Sequence, residues 1–98
     1  MARRRERLEA LATEIGCEYW AADLTDEAQV EELAAHVLDR GHVDALVNNA
    51  GGAIGVDPVA EADPTAWSAM FERNVLTALQ CTRAFLPTMR ARGGDVVF

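Results

Sequence analysis

The chain has 98 residues, half of them hydrophobic, and a formal net charge of −7. That length and composition fit one globular domain with a modest core and exclude a disordered chain. The acidic balance argues against nucleic acid as a partner, because phosphate binding needs a concentrated basic surface. No apolar run approaches the roughly 20 residues of a membrane span, so no membrane partner is expected either.

The first element is a helix from about Arg3 to Ile15, with Leu8, Leu11 and Ile15 at helical spacing and Gly16 placed to end it. Arg3, Arg4, Arg5 and Arg7 make the only basic cluster. "CEYWAA" (Cys17 to Ala22) reads as a short strand with aromatic content. "DLTDEAQVEELAAHVLDRG" reads as a second helix, capped by Thr25 or Asp26 and stopped by Gly41. Its apolar stripe is Val30, Leu33, Ala34, Val37 and Leu38. "VDALVNN" (Val43 to Asn49) is the second strand, and a loop runs from Ala50 to about Asp63.

Asp63 followed by Pro64 is a cap with proline at the first helical position. A long helix is then expected over roughly Pro64 to Arg90, kinked or opened near Pro87. "GGDVVF" opens a third strand. Helices alternating with strands imply parallel strands joined by helical crossovers, hence an α/β layered fold. Both ends read as interior to a larger domain: Met1 stands directly before a helix, and Phe98 lies inside an apolar run.

Cys17 and Cys81 have no close cysteine or histidine partner, so both are expected as buried thiols in a reducing, cytoplasmic compartment, with no metal site. His36 and His42 likewise lack a ligand set.

The candidate chemistry centres on "DALVNNAGG". "AGGAIG" (Ala50 to Gly55) approaches a dinucleotide fingerprint, but no helical pattern starts until Asp63, and no acidic residue ends a strand about 20 residues on. A different use fits better. Ligands in open α/β sheets lie beyond the carboxyl ends of the strands, where Asn48 to Gly52 falls. Asn amides can bond backbone and ligand together, and Ala50, Gly51 and Gly52 allow close approach. The alternative is an ordinary turn. Asp23 ends the first strand, where it can cap the next helix or accept from a ligand amine. Asn74 stands mid-helix, where asparagine is unfavourable, with Trp67, Met70, Phe71 and Ala78 at helical spacing. That places it on the apolar face, where its amide needs partners.

In order and spacing, "ARRRERLEALA", "DLTD", "DALVNNAGG", "FERNVLTALQCTRAFLPTMRARG" and "GDVVF" resemble the classical short-chain dehydrogenase/reductase family over essentially the whole chain. The resemblance implies a partial Rossmann-type doubly wound parallel sheet, with residues 1–98 supplying strands three to five of the family fold and their helices. It implies hydride transfer between NADP, or less readily NAD, and a small carbonyl or alcohol substrate. By the same resemblance, Asp23 with Leu24 would meet the adenine. Asn48, Asn49, Ala50 and Gly51 would border the adenosine ribose, and Arg3 or Arg4 would favour the 2′-phosphate of NADP. Asn74 would hold a water of the proton relay.

The family's glycine-rich phosphate loop, its catalytic serine and its Y-x-x-x-K pair do not occur in these 98 residues, which contain no lysine and only one tyrosine. The chain alone is therefore expected to be inactive. In the family order, strand three is separated from four and five by two others, so the chain is expected to leave a gap, pair strand three with four directly, or expose edges. The alternative is a non-catalytic assembly module that oligomerises through the helix at 64–90, where Leu76, Leu79 and Leu86 are expected to broaden a Trp67, Phe71 and Phe85 face. In the full-length form a homo-oligomer is expected.

Overall fold

The computed structural model describes residues 4–53 and 58–98. Helix α1 spans Arg5–Ile15 and ends at Gly16, whose φ of 71° is left-handed and costs glycine nothing. Helix α2 spans Glu27–Arg40. Asp26 is its cap, accepting from the Ala28 and Gln29 N–H groups at 3.0 and 3.4 Å. Val30, Leu33 and Ala34 are buried and Val37 and Leu38 half-buried, which bears out the apolar stripe.

Strand β1 (Ala45–Val47) pairs in parallel with β2 (Asp95–Val97), Leu46 opposite Val96. Flanking bonds lengthen the ladder: Asp95 N–H donates to the Asp44 carbonyl at 2.9 Å, and Asn48 N–H to the Val97 carbonyl at 2.8 Å. The segment Cys17–Ala22 does not form the expected strand; only Ala21 makes an isolated bridge. A strand needs a ladder partner for its backbone groups, and among the described residues the sheet consists of β1 and β2 alone. Of the arrangements open to the chain, the direct pairing of strand three with four does not form among the described residues, and the two-stranded sheet leaves edges on which Val47 and Val97 are more than half exposed.

Asp63 caps helix α3 (Pro64–Phe71), accepting from Thr65 N–H at 2.9 Å. The expected continuous helix breaks into α3, a π turn at Glu72–Leu76 and helix α4 (Thr77–Arg92). Thr77 N–H reaches back five residues to the Glu72 carbonyl, and the Arg73 carbonyl receives the Thr77 hydroxyl at 2.7 Å. The irregularity thus lies at the π turn, and the helix continues past Pro87 to Arg92. A one-residue insertion also rotates the faces of α4 against those of α3. Trp67 and Phe71 are each 55% exposed, whereas Phe85 is buried, so the three do not share one stripe.

The core joins α2, β1 and α4 through Val30, Leu33, Leu46, Cys81, Phe85 and Met89, with Ala22 and Leu24 from the unpaired segment. Val30 and Leu33 are the largest fully buried side chains; burial of each contributes about 1.5–3 kcal/mol. Cys81 is buried as expected, but Cys17, which follows the α1 cap, is exposed. Among the described residues, no helix is long and apolar enough to cross a membrane.

Candidate functional site

Ala22–Thr25 and Val47–Gly51 come together across a cavity of about 690 Å³ beyond the carboxyl end of β1. Its third wall is the helical stripe Ala69, Arg73, Thr77 and Cys81, with Glu72 beside it. The volume lies within the range of small-molecule sites, roughly 300–1,000 Å³. Of the candidate residues, Asp23, Leu24, Asn48, Asn49, Ala50 and Gly51 all line it. Leu24 is buried, Asp23 and Asn48 are half-buried, and Asn49 to Gly51 are exposed.

Asp23 does not cap α2, because Asp26 holds that position. Its Oδ1 instead accepts from the Thr25 N–H at 3.0 Å and the Thr25 hydroxyl at 2.7 Å. This closes a local turn of the kind short acidic side chains favour. Gln29 Oε1 accepts from Asp23 N–H at 2.8 Å, and Gln80 Nε2 donates to the Thr25 carbonyl at 3.2 Å. The turn that carries Asp23 is therefore held from two helices.

Asn48 is anchored twice. Its backbone extends the sheet, and its side-chain Nδ2 donates to the Thr82 hydroxyl at 3.2 Å. Asn74 is exposed, which corrects the expectation that its amide is buried on the apolar face. The amide is nonetheless fully engaged: Nδ2 donates to the Gly52 carbonyl and the Met70 carbonyl, both at 2.8 Å, and Oδ1 accepts from Gly52 N–H at 3.0 Å. Asn74 lies within the π turn, a feature frequent at functional sites. A Cβ on Gly51 would overlap Asn74 Oδ1, so the loop fits only with glycine there.

Arg4 is the exposed residue before α1 and does not line the cavity, while Arg3 lies outside the described residues. Ile54 to Asp57, which include the end of the "AGGAIG" stretch, also lie outside them. His36 stacks on Trp20 with ring centroids 4.4 Å apart, and His42 pairs with Asp44 at 3.2 Å. Neither histidine lines the cavity.

Sequence reasoning missed Thr77, Thr82, Gln29, Gln80 and Arg73. Thr77 and Gln29 carry local signals, since a mid-helix threonine can bond a carbonyl four residues back and a glutamine three residues past a cap suits a capping box. The Asn48–Thr82 pair spans 34 residues and the Gln80–Thr25 pair spans 55, and no local pattern announces such contacts.

The family model for the short chain dehydrogenases matches residues 1–98, and the chain belongs to that family. It is 41% identical over 98 residues to a serine 3-dehydrogenase of Agrobacterium fabrum, covering 97% of this chain and 39% of the relative. It is 38% identical over 93 residues to the NADP-dependent 3-hydroxy acid dehydrogenase YdfG of Escherichia coli K12, covering 92% of this chain and 38% of the relative. Among solved structures it resembles an alcohol dehydrogenase from Thermococcus sibiricus complexed with 5-hydroxy-NADP, with a TM-score of 0.87 and 33% identity. That match covers 97% of this chain and 43% of the other. The chain thus spans about 39% of the length of the first curated relative, and the doubly wound α/β fold class expected from the sequence is confirmed.

Proposed function

We infer that these residues form the adenosine side of the cofactor site of an NADP-dependent oxidoreductase acting on a small carbonyl or alcohol in the cytoplasm. The observation that carries this reading is the cavity, which brings Asp23 and Leu24 to face Asn48–Gly51 at the sheet's carboxyl edge. Its chemistry suits adenosine: a carboxylate to accept from the exocyclic amine, an apolar Leu24 for the ring, and small residues that let the ribose approach backbone. The cofactor, when bound, supplies hydride chemistry at its nicotinamide. The residues present hold and orient its other half.

Asn74 has its side chain committed to Gly52 and Met70, so a relay water would be held by its backbone rather than its amide. Arg4, with Arg3, would meet a 2′-phosphate, where guanidinium geometry favours the contact. Two relatives are named for serine and for 3-hydroxy acids, and serine is itself a 3-hydroxy acid. This supports a 3-hydroxy acid as the substrate class. Trp67, Phe71 and Leu79, each more than half exposed, supply an apolar face suited to a homo-oligomer of the full-length protein. The relatives reported above are all named dehydrogenases, and none supports a non-catalytic module.

Titration of the 98-residue chain with AMP, followed residue by residue in ¹H–¹⁵N spectra, tests the site. Shifts confined to Asp23, Leu24 and Asn48 to Gly51 are expected, with millimolar affinity; their absence overturns the reading. NADPH oxidation by the 98-residue chain with any carbonyl substrate is expected to be undetectable. Clear turnover would overturn the expected division of the active site.

A further inference from the structure

Gln29 stands three residues into the chain that follows the Asp26 cap, the position from which a capping-box side chain usually turns back to the cap's own N–H. Here that N–H is already taken by the Asp23 carbonyl at 3.1 Å. Gln29 reaches past it. Its Oε1 accepts from Asp23 N–H at 2.8 Å, and its Nε2 donates to Asp26 Oδ2 at 3.1 Å. The side chain is half-buried and bridges the cap to the residue that lines the cavity.

Helix α2 needs none of this. Asp26 Oδ1 alone satisfies the Ala28 and Gln29 N–H groups. What the bridge fixes is Asp23. Its N–H is tied to Gln29, its carbonyl to Asp26, and its Oδ1 to both donors of Thr25. With backbone and one carboxylate oxygen constrained, the plane of the carboxylate is set before any ligand arrives. Such preorganisation saves the ligand the entropy of ordering its acceptor.

We propose that Gln29 is a positioning residue that orients the Asp23 carboxylate toward the exocyclic amine of adenine, and so sets the preference for an adenine over a hypoxanthine nucleotide. The proposal rests on the adenosine reading of the cavity. The discriminating chemistry is simple: a carboxylate accepts from the amine of adenine and repels the carbonyl oxygen that hypoxanthine carries in its place.

The 98-residue chain is titrated with AMP and with IMP by ¹H–¹⁵N spectroscopy, as the native sequence and as Gln29→Ala and Gln29→Glu. Native chain is expected to bind AMP about 5- to 10-fold more tightly than IMP, the net worth of one typical hydrogen bond in a partly solvated site. Gln29→Ala should bring that ratio close to one, by weakening AMP binding and relieving the repulsion of IMP. Gln29→Glu keeps an acceptor for Asp23 N–H but sets a second carboxylate against Asp26 Oδ2, so it breaks the bridge and should weaken the preference as Gln29→Ala does. A folded Gln29→Ala chain that retains the native ratio overturns the proposal. If Gln29→Ala unfolds, Gln29→Glu decides, since retention of the native ratio there overturns it equally. Absence of AMP binding by the native chain would instead overturn the adenosine reading itself, and the role of Gln29 with it.

Discussion

The side-chain amide of Asn74 pairs with both backbone polar groups of Gly52, receiving the N–H at 3.0 Å and donating to the carbonyl at 2.8 Å. An asparagine inside a helix thereby acts as a strand-like partner for a loop 22 residues earlier. The third bond, from Nδ2 to the Met70 carbonyl at 2.8 Å, ties the same amide to its own helix.

Replacing Asn74 by alanine should free the Gly52 amide. We expect its hydrogen exchange to lose protection and the chain to lose roughly 0.5–1.5 kcal/mol in urea unfolding, the net worth of bonds at an exposed site. Asn74→Asp should be worse at neutral pH, because its carboxylate would face the Gly52 and Met70 carbonyls. That deficit should shrink as the carboxyl is protonated towards a pH of about 4. An Asn74→Asp chain as stable as the native one at neutral pH would contradict the geometry.

Gly51→Ala places a methyl against Asn74 Oδ1, on a backbone with φ of 156°. The amide must move, and the Gly52 bonds go with it. A destabilisation of about 1–3 kcal/mol is expected, with chemical-shift changes at both Gly52 and Asn74. Gly52→Ala meets no atom within 4 Å and should be better tolerated. Equal penalties for the two substitutions would count against the Asn74 contact.

Thr82→Val removes the acceptor of the Asn48 side chain at 3.2 Å while preserving shape. A loss of about 1 kcal/mol is expected, and Thr82→Ser should recover most of it. The Asn48 side-chain amide resonances report directly on the bond and should move in the valine variant only.

The two cysteines should separate cleanly. Cys17 is exposed and Cys81 buried, and burial raises the Cys81 thiol above its ordinary value of 9.0. A thiol reagent at pH 8 should label one cysteine in the native chain and the second only after denaturation. The folded state holds the Cys81 proton more tightly than the unfolded chain does. Its contribution to stability is therefore complete below pH 9 or so and is lost as pH rises through the raised value. Substituting serine at Cys81 should remove that alkaline decline; a decline of unchanged size would show that another group causes it.

Helix ends were legible in the sequence because their chemistry is local. Gly16, Asp26, Gly41 and Asp63 with Pro64 act on groups within a few residues, and each marks a boundary found in the structure. The site residues at the sheet edge were legible for a related reason, since a strand end followed by Asn-Asn-Ala-Gly-Gly specifies a place as well as a composition. The Cys17–Ala22 segment reads as a strand from its residues alone, and only the missing neighbours of the family order pointed to its standing unpaired, because a ladder depends on a neighbour and not on propensity. Asp23 left two readings open, cap or ligand acceptor, because aspartates three residues apart both suit a cap, and the fold gives that place to Asp26. The π turn was hidden because Gly52, which pairs with Asn74 inside it, lies 22 residues earlier in the chain.

That π turn divides one helix into two rotational frames. Counting from Pro64 at roughly 100° per residue puts Phe71 and Phe85 nearly in line, yet one is solvent-facing and the other is core. The extra residue at Glu72–Leu76 acts as a phase shifter, and everything after it is indexed from Thr77. The turn therefore carries one residue more than a continuous helix would need. Deleting one residue of the five would close the turn into regular α-helix with Cys81, Phe85 and Met89 still facing the core, so what the extra residue secures is the place of Asn74 against Gly52.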